Sequence, residues 1–274
     1  MATTFVTSVP ITDALADLLP ARRGTAWKVE SVPPGDRTDA PTARLVQNGR
    51  ALEVVTRDDR VQVYADRPGM LTTAPDMVVA VTTPAPDLAA LVLRVVLPRL
   101  EREAARTTEA AHGPEQVLID AVQGLNEVTS ALIDHGAHPE GRSRIDRVGV
   151  TWGLPGDPGW GLWAFLGSGN LTLSYSSPLE GLYAFLPVVL PSPEGHAPDD
   201  AGSEFTRHLT GRFPQLRSLD DDMVGFGRRD EPSGWIALPD KAEPTDYADD
   251  SRPVVAEFSG LGVDLLLTAV AHLV

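Results

Sequence analysis

Residues 43–64 read ARLVQNGRALEVVTRDDRVQVY, and this stretch decides the fold class. Apolar and polar residues alternate through it, the period of a strand with one buried face. Asn48-Gly49 interrupts the alternation with the dipeptide that tolerates the positive φ of a type I′ hairpin turn. A second tight turn is expected at Asp58-Asp59, so that Leu52, Val54, Val61 and Val63 point toward one core. Three antiparallel strands in 22 residues leave no room for the helical crossovers a parallel sheet requires.

Working outward, Leu15, Leu18 and Leu19 predict a helix over 12–22, capped by Thr12 and ended by Gly24. A strand is expected at 27–32, followed by a Pro/Asp/Gly loop over 33–41. Downstream, 77–81 is a continuous apolar run of the kind expected for a strand covered on both faces. A helix over 87–110 follows, with Pro98 inside it. Proline there removes a backbone donor and clashes with the preceding turn, so a kink or a break near Leu97 is predicted.

A further helix is predicted over 114–134, from the three- and four-residue spacing of Leu118, Ala121, Val122, Leu125, Val128 and Leu132. The polar, basic segment 135–147 reads as a linker. Beyond it, strands are expected at 148–152, 160–166 and 171–175, with a GDPG loop and a GSGN turn between them. The apolar run 182–190 reads as a strand in which Pro187 forces an edge, a bulge or a break. Then come a short helix near 203–212, strands at 223–226, 235–238 and 254–258, and a terminal helix from 261. Leu265, Leu266, Ala269, Val270 and Leu273 give that helix a wide apolar face, so burial is expected.

VVAVTTPAPDLAALVLRVVL from Val78 parallels VVAEFSGLGVDLLLTAVAHLV from Val254. Each has Val-Val-Ala, a small-residue turn, an Asp (Asp87, Asp264) and an apolar helix. The match suggests an internal duplication, although convergence gives the same pattern in a chain rich in Val, Leu and Ala. The expected fold is α+β, as two related halves, each a mainly antiparallel sheet packed with helices. The divisions are 1–110, a connecting helix and linker over 111–145, and 146–274 with an acidic loop at 220–250.

The composition excludes several chemistries. With 42% hydrophobic and 22% charged residues, the 274-residue chain has a globular balance. It contains no cysteine, which rules out disulfides, thiol catalysis and thiolate metal sites. A net charge of −15 opposes a broad electrostatic grip on nucleic acid or anionic membranes, while leaving room for a local basic patch. Only two lysines accompany 21 arginines, a bias expected of a GC-rich bacterial genome. There is no basic n-region ahead of an apolar core and no apolar run near 20 residues, so a soluble, cytoplasmic protein is expected.

Candidate chemical sites are few. His135 and His138, beside Asp134 and Glu140, lie past a helix end among Gly and Pro, where a C-terminal dipole partner is the simpler reading than a metal ligand. The region 220–250 holds ten acids and three bases without calcium-loop order. The Gly167-Ser168-Gly169 turn lacks the Lys and the following helix of a phosphate loop. No nucleophile elbow or zinc-binding helix motif occurs. Accordingly no catalytic residue, cofactor or metal is assigned.

Four of the five tryptophans lie in the second half of the chain. In 160–166, Trp163 and Phe165 face one way, and Trp160, Leu162 and Leu166 the other. Large aromatics fill cores or anchor interfaces. The candidate partner-binding residues are therefore Trp160, Trp163 and Phe165, together with Asp220, Asp221 and Asp222. The expected function is non-catalytic: a protein-binding, adaptor or chaperone-like protein, of a phage or mobile element. Its partner would be another protein, basic in character, or a second copy of itself. The alternatives are a structural component of a larger assembly and a hydrolase-type enzyme whose site the sequence does not reveal.

Overall fold

The computed structural model describes residues 9–31, 42–67, 74–153, 159–192, 202–227, 231–239 and 250–274. The expected loop at 33–41, residues 156–158 of the GDPG loop and the acidic residues 240–249 lie outside them. The chain is α+β and forms two compact units, Met1–Leu100 and Glu101–Val274.

The first unit opens with α1 (Val9–Leu18) and continues as β1 (Lys28–Ser31), β2 (Thr42–Gln47), β3 (Arg50–Arg57), β4 (Arg60–Ala65) and β5 (Met77–Ala80). These five strands form an antiparallel meander in sequence order. Asn48 and Gly49 take φ of 47° and 78°, as the I′ turn requires, and Asp58 takes 55° at the next turn. The resulting register sets Leu45 opposite Leu52 and Val54 opposite Val63. Leu52, Val54, Val61 and Val63 are all buried, as the alternation predicts.

After β5 come α2 (Ala85–Leu91), a π-helical turn over Val92–Val96, and α3 (Leu97–His112). The π turn is how the chain accommodates Pro98. A regular helix would drive the proline ring into the carbonyl of Arg94, four residues back. Instead the Leu97 N–H reaches the Val92 carbonyl, five residues back, and the extra residue absorbs the clash.

In the second unit, α4 (Pro114–Asp134) packs against an eight-stranded sheet. Its strands are β6 (Glu140–Ser143), β7 (Arg147–Trp152), β8 (Gly159–Phe165), β9 (Leu171–Pro178), β10 (Arg217–Asp220), β11 (Met223–Phe226), β12 (Ser233–Ala237) and β13 (Pro253–Leu261). The order is β10-β11-β12-β13-β9-β8-β7-β6, and every neighbouring pair is antiparallel. The short helices α5 (Leu186–Val189), α6 (Glu204–Arg212) and α7 (Val263–Ala269) complete the unit.

One face of this sheet carries the core. Trp160 lies 4.4 Å from Tyr175 and 5.5 Å from Phe185, and Phe185 lies 5.1 Å from Phe258, measured between ring centroids. The terminal helix is buried as expected: Leu265, Leu266, Ala269, Val270 and Leu273 are each at most 1% exposed. The Trp152 indole donates to the Leu273 carbonyl at 2.7 Å, which fastens the chain end to the sheet.

Three expectations are corrected. The apolar run 182–190 is no strand: a 3₁₀ turn over Leu179–Leu182 leads into α5, with Pro187 in its first turn, where a missing N–H costs nothing. The stretch read as a linker contains β6, whose residues are all exposed, so no apolar pattern marked it as a strand. Nor is the duplication confirmed. β5 is an edge strand of its sheet, whereas β13 lies between β12 and β9 in the interior of the other. The two Val-Val-Ala segments share a local strand–turn–helix, and their sheet environments differ.

Candidate functional site

The structure separates the expected contact residues into three environments. Trp160 is 7% exposed inside the aromatic core, so it has no surface to offer a partner. Trp163 and Phe165 point from the opposite face of β8 and are half-buried. The Trp163 indole lies over glycines of its own and the neighbouring strand, and its N–H donates to the Ser174 hydroxyl at 3.1 Å. The Arg147 guanidinium covers it from outside, 4.8 Å from the Trp163 ring and 5.5 Å from that of Phe165. Asp220, Asp221 and Asp222 are exposed at the hairpin joining β10 to β11. Five strand positions separate β8 from β10, about 24 Å at the usual spacing. The aromatic strand and the acidic hairpin are therefore not one site.

At the acidic end, β10 is an edge strand whose outer side pairs with no other strand among the described residues. Beside it lies a cleft of about 300 Å³. Pro191, Pro214, Leu219 and Phe226 supply its apolar wall, and Arg217, Gln215 and Glu231 its polar groups. The Gln215 Oε1 atom is buried and accepts no hydrogen bond. Such an acceptor costs about 1–3 kcal/mol until a donor reaches it. Leu219 is 60% exposed at the mouth, an apolar side chain on a strand that is otherwise Arg, Ser and Asp.

A second cluster joins distant parts of the chain. Tyr183 donates its hydroxyl to Asp250 Oδ1 at 2.6 Å, and His208 Nε2 lies 3.2 Å from both the hydroxyl and that carboxylate oxygen. Arg212, one turn after His208 on α6, stacks 3.6 Å from the Tyr183 ring centroid and 3.9 Å from Asp250 Oδ2. The hydroxyl's hydrogen bond holds Asp250 below the usual carboxylate range. Desolvation opposes this, and the positive ends of His208 and Arg212 add to it. Burial, and then the hydrogen bond to Asp250, push the Tyr183 phenol well above its ordinary value. The phenol stays protonated and the carboxylate ionised, and each is already spent on the other. The cluster ties α6 to the segment entering β13.

No residue of either cluster could be assigned a role from sequence. Tyr183 and Asp250 are 67 residues apart, and only the four-residue spacing of His208 and Arg212 hints at a shared face. The candidate metal residues do other work: the His135 ring bonds the Ala131 carbonyl at 2.9 Å and Glu140 accepts from Arg142 at 2.6 Å. Among the described residues, no three His, Asp or Glu side chains gather as metal ligands, and no helix is long and apolar enough to cross a membrane.

Comparison with protein-family models, curated proteins and solved structures finds no match to this chain.

Proposed function

We propose that this is a non-catalytic protein-binding protein, an adaptor or chaperone-like molecule, whose contact site is the β10 edge with its adjoining cleft. The observation that carries the reading is the open edge of β10 beside that apolar-walled cleft. An extended segment adding to β10 brings backbone donors along the edge, and alternate side chains face the sheet's two sides. An apolar side chain of such a segment fits the wall of Pro191, Pro214 and Leu219. Cationic side chains fit Asp220, Asp221 and Asp222, and the net charge of −15 draws a basic partner from a distance.

The test is binding of an extended peptide of alternating Lys and Val, measured by calorimetry. Leu219→Ser should weaken binding while leaving unfolding stability nearly unchanged, because that side chain stands 60% exposed at the mouth of the cleft. Neutralising the three aspartates to Asn should slow association, most clearly at low salt. A stable Leu219→Ser variant that binds as well as the parent would refute the site.

A further inference from the structure

At the edge of the sheet opposite β10, the chain turns from β6 into β7 through Arg144, Ile145 and Asp146. The ladder pairs Arg142 with Gly149, and at its end the Arg144 N–H donates to the Arg147 carbonyl at 2.9 Å. Arg144 and Arg147 therefore stand opposite one another, with Cα atoms about 5.5 Å apart as in any hydrogen-bonded antiparallel pair. Like charges so placed destabilise a sheet. A carboxylate between them would offset the cost, and the two in this hairpin do not serve. Glu140 is held by Arg142 at 2.6 Å, and Asp146 forms no ion pair with either arginine. Among the described residues, neither the Arg144 nor the Arg147 side chain has a hydrogen bond or an ion pair.

Arg147 is nonetheless fixed in place. Its guanidinium lies 4.8 Å from the Trp163 ring centroid and 5.5 Å from that of Phe165, with Nε buried. The terminal nitrogens have no partner and are not buried. The aromatic stack thus orients a planar cation and leaves its outer nitrogens accessible, the arrangement that suits two-pronged recognition of an oxyanion.

We propose that Arg144 and Arg147 form a binding site for a phosphomonoester group. Charge and donor count select that ligand. Two unpaired guanidinium groups face an anion that carries about −1.5 to −2 near neutral pH and offers three acceptor oxygens. A carboxylate has a single charge and two oxygens, enough for one arginine. The net charge of −15 restricts the ligand further, because a polyanion extends past the two arginines into a repulsive field and a single phosphate does not. The site stands apart from the β10 edge and does not depend on the reading given to that edge.

Calorimetry on the full chain tests this, with a peptide of Gly, Ala and Ser that carries one phosphoserine, and with its unphosphorylated twin. The parent should bind the phosphopeptide and ignore the twin. Arg144→Gln should weaken binding by about 10–100-fold, the scale of a lost hydrogen bond to a charged group. Its unfolding stability should be unchanged or raised, since the like-charge pair is gone. Arg142→Gln should lose far less, because Arg142 is already held by Glu140. Inorganic phosphate as competitor distinguishes the sources of the group. Displacement near the peptide's own Kd assigns the site to a small free phosphate ester, and displacement only at far higher concentration assigns it to a phosphorylated chain. Equal affinity for peptide and twin overturns the inference, as does an Arg144→Gln variant that binds like the parent. Equal losses in Arg142→Gln and Arg144→Gln also overturn it, since they would describe a diffuse basic patch. The Lys/Val peptide reports on β10 separately, so either site can fail while the other stands.

Discussion

The indole of Trp163 occupies the space that a side chain at Gly149 would fill. A Cβ built on Gly149 would collide with Cε3 of Trp163 and with the Leu162 carbonyl, and one built on Gly161 would stand 2.8 Å from Trp163 Nε1 and 2.6 Å from the Ser174 hydroxyl. Gly149 faces Trp163 directly across the β7–β8 ladder. The aromatic ring lies flat only because these strands carry no side chain there. Gly149→Ala should therefore destabilise the protein by about 1–3 kcal/mol, the usual cost of overfilling a packed site. Urea denaturation measures it, and a neutral result would mean that the ring can leave without penalty.

Trp160 and Trp163, three residues apart, should respond very differently to truncation. Trp160→Ala removes the centre of the aromatic core and should cost about 3–5 kcal/mol. Trp163→Ala loses the Arg147 stack and the Ser174 hydrogen bond on a half-buried face. Its cost should be near 1 kcal/mol, the scale of a part-exposed cation–π contact. Equal losses in the two variants would show that the Trp163 face is as closely packed as the core.

Tyr183→Phe should raise the pKa of Asp250, since the lost hydroxyl is the largest influence holding it down. The folded-state value lies below the unfolded value of about 3.9, so the carboxylate's contribution is complete above that pH and disappears as pH falls through the folded pKa. The stability gap between parent and variant should accordingly narrow on acidification. Carboxyl titration by NMR, paired with denaturation at several pH values, reads both effects. A gap that stays constant into acid would assign it to packing of the phenol ring.

Leu266→Ala should cost about 2–5 kcal/mol, because its side chain is wholly buried in the terminal helix. Removing the chain after Gly260 should abolish cooperative unfolding of the second unit. A truncated chain with an unchanged transition would make the helix a passenger, against its complete burial.

The local periods of the sequence were sufficient for most elements. The 43–64 stretch specified its two turns and its inward face because strand alternation and positive-φ residues act within a few neighbours. The terminal helix was legible because its apolar face is too wide to leave in water. Pro98 announced a distortion, since a missing N–H and a ring clash are local facts, and the structure supplied its form as a π turn. The sequence also separated Trp160 from Trp163 by side of the strand. Only the tertiary structure decided which side was core, because helices of distant sequence cover one face of the sheet. The β6 strand escaped notice because an edge strand exposed on all sides needs no apolar pattern, only a neighbour. Likewise, the Gln215 cleft and the Tyr183–Asp250 tie draw their members from segments tens of residues apart. Sequence spacing reports forces that act along the chain; sites assembled across it depend on which strands become neighbours.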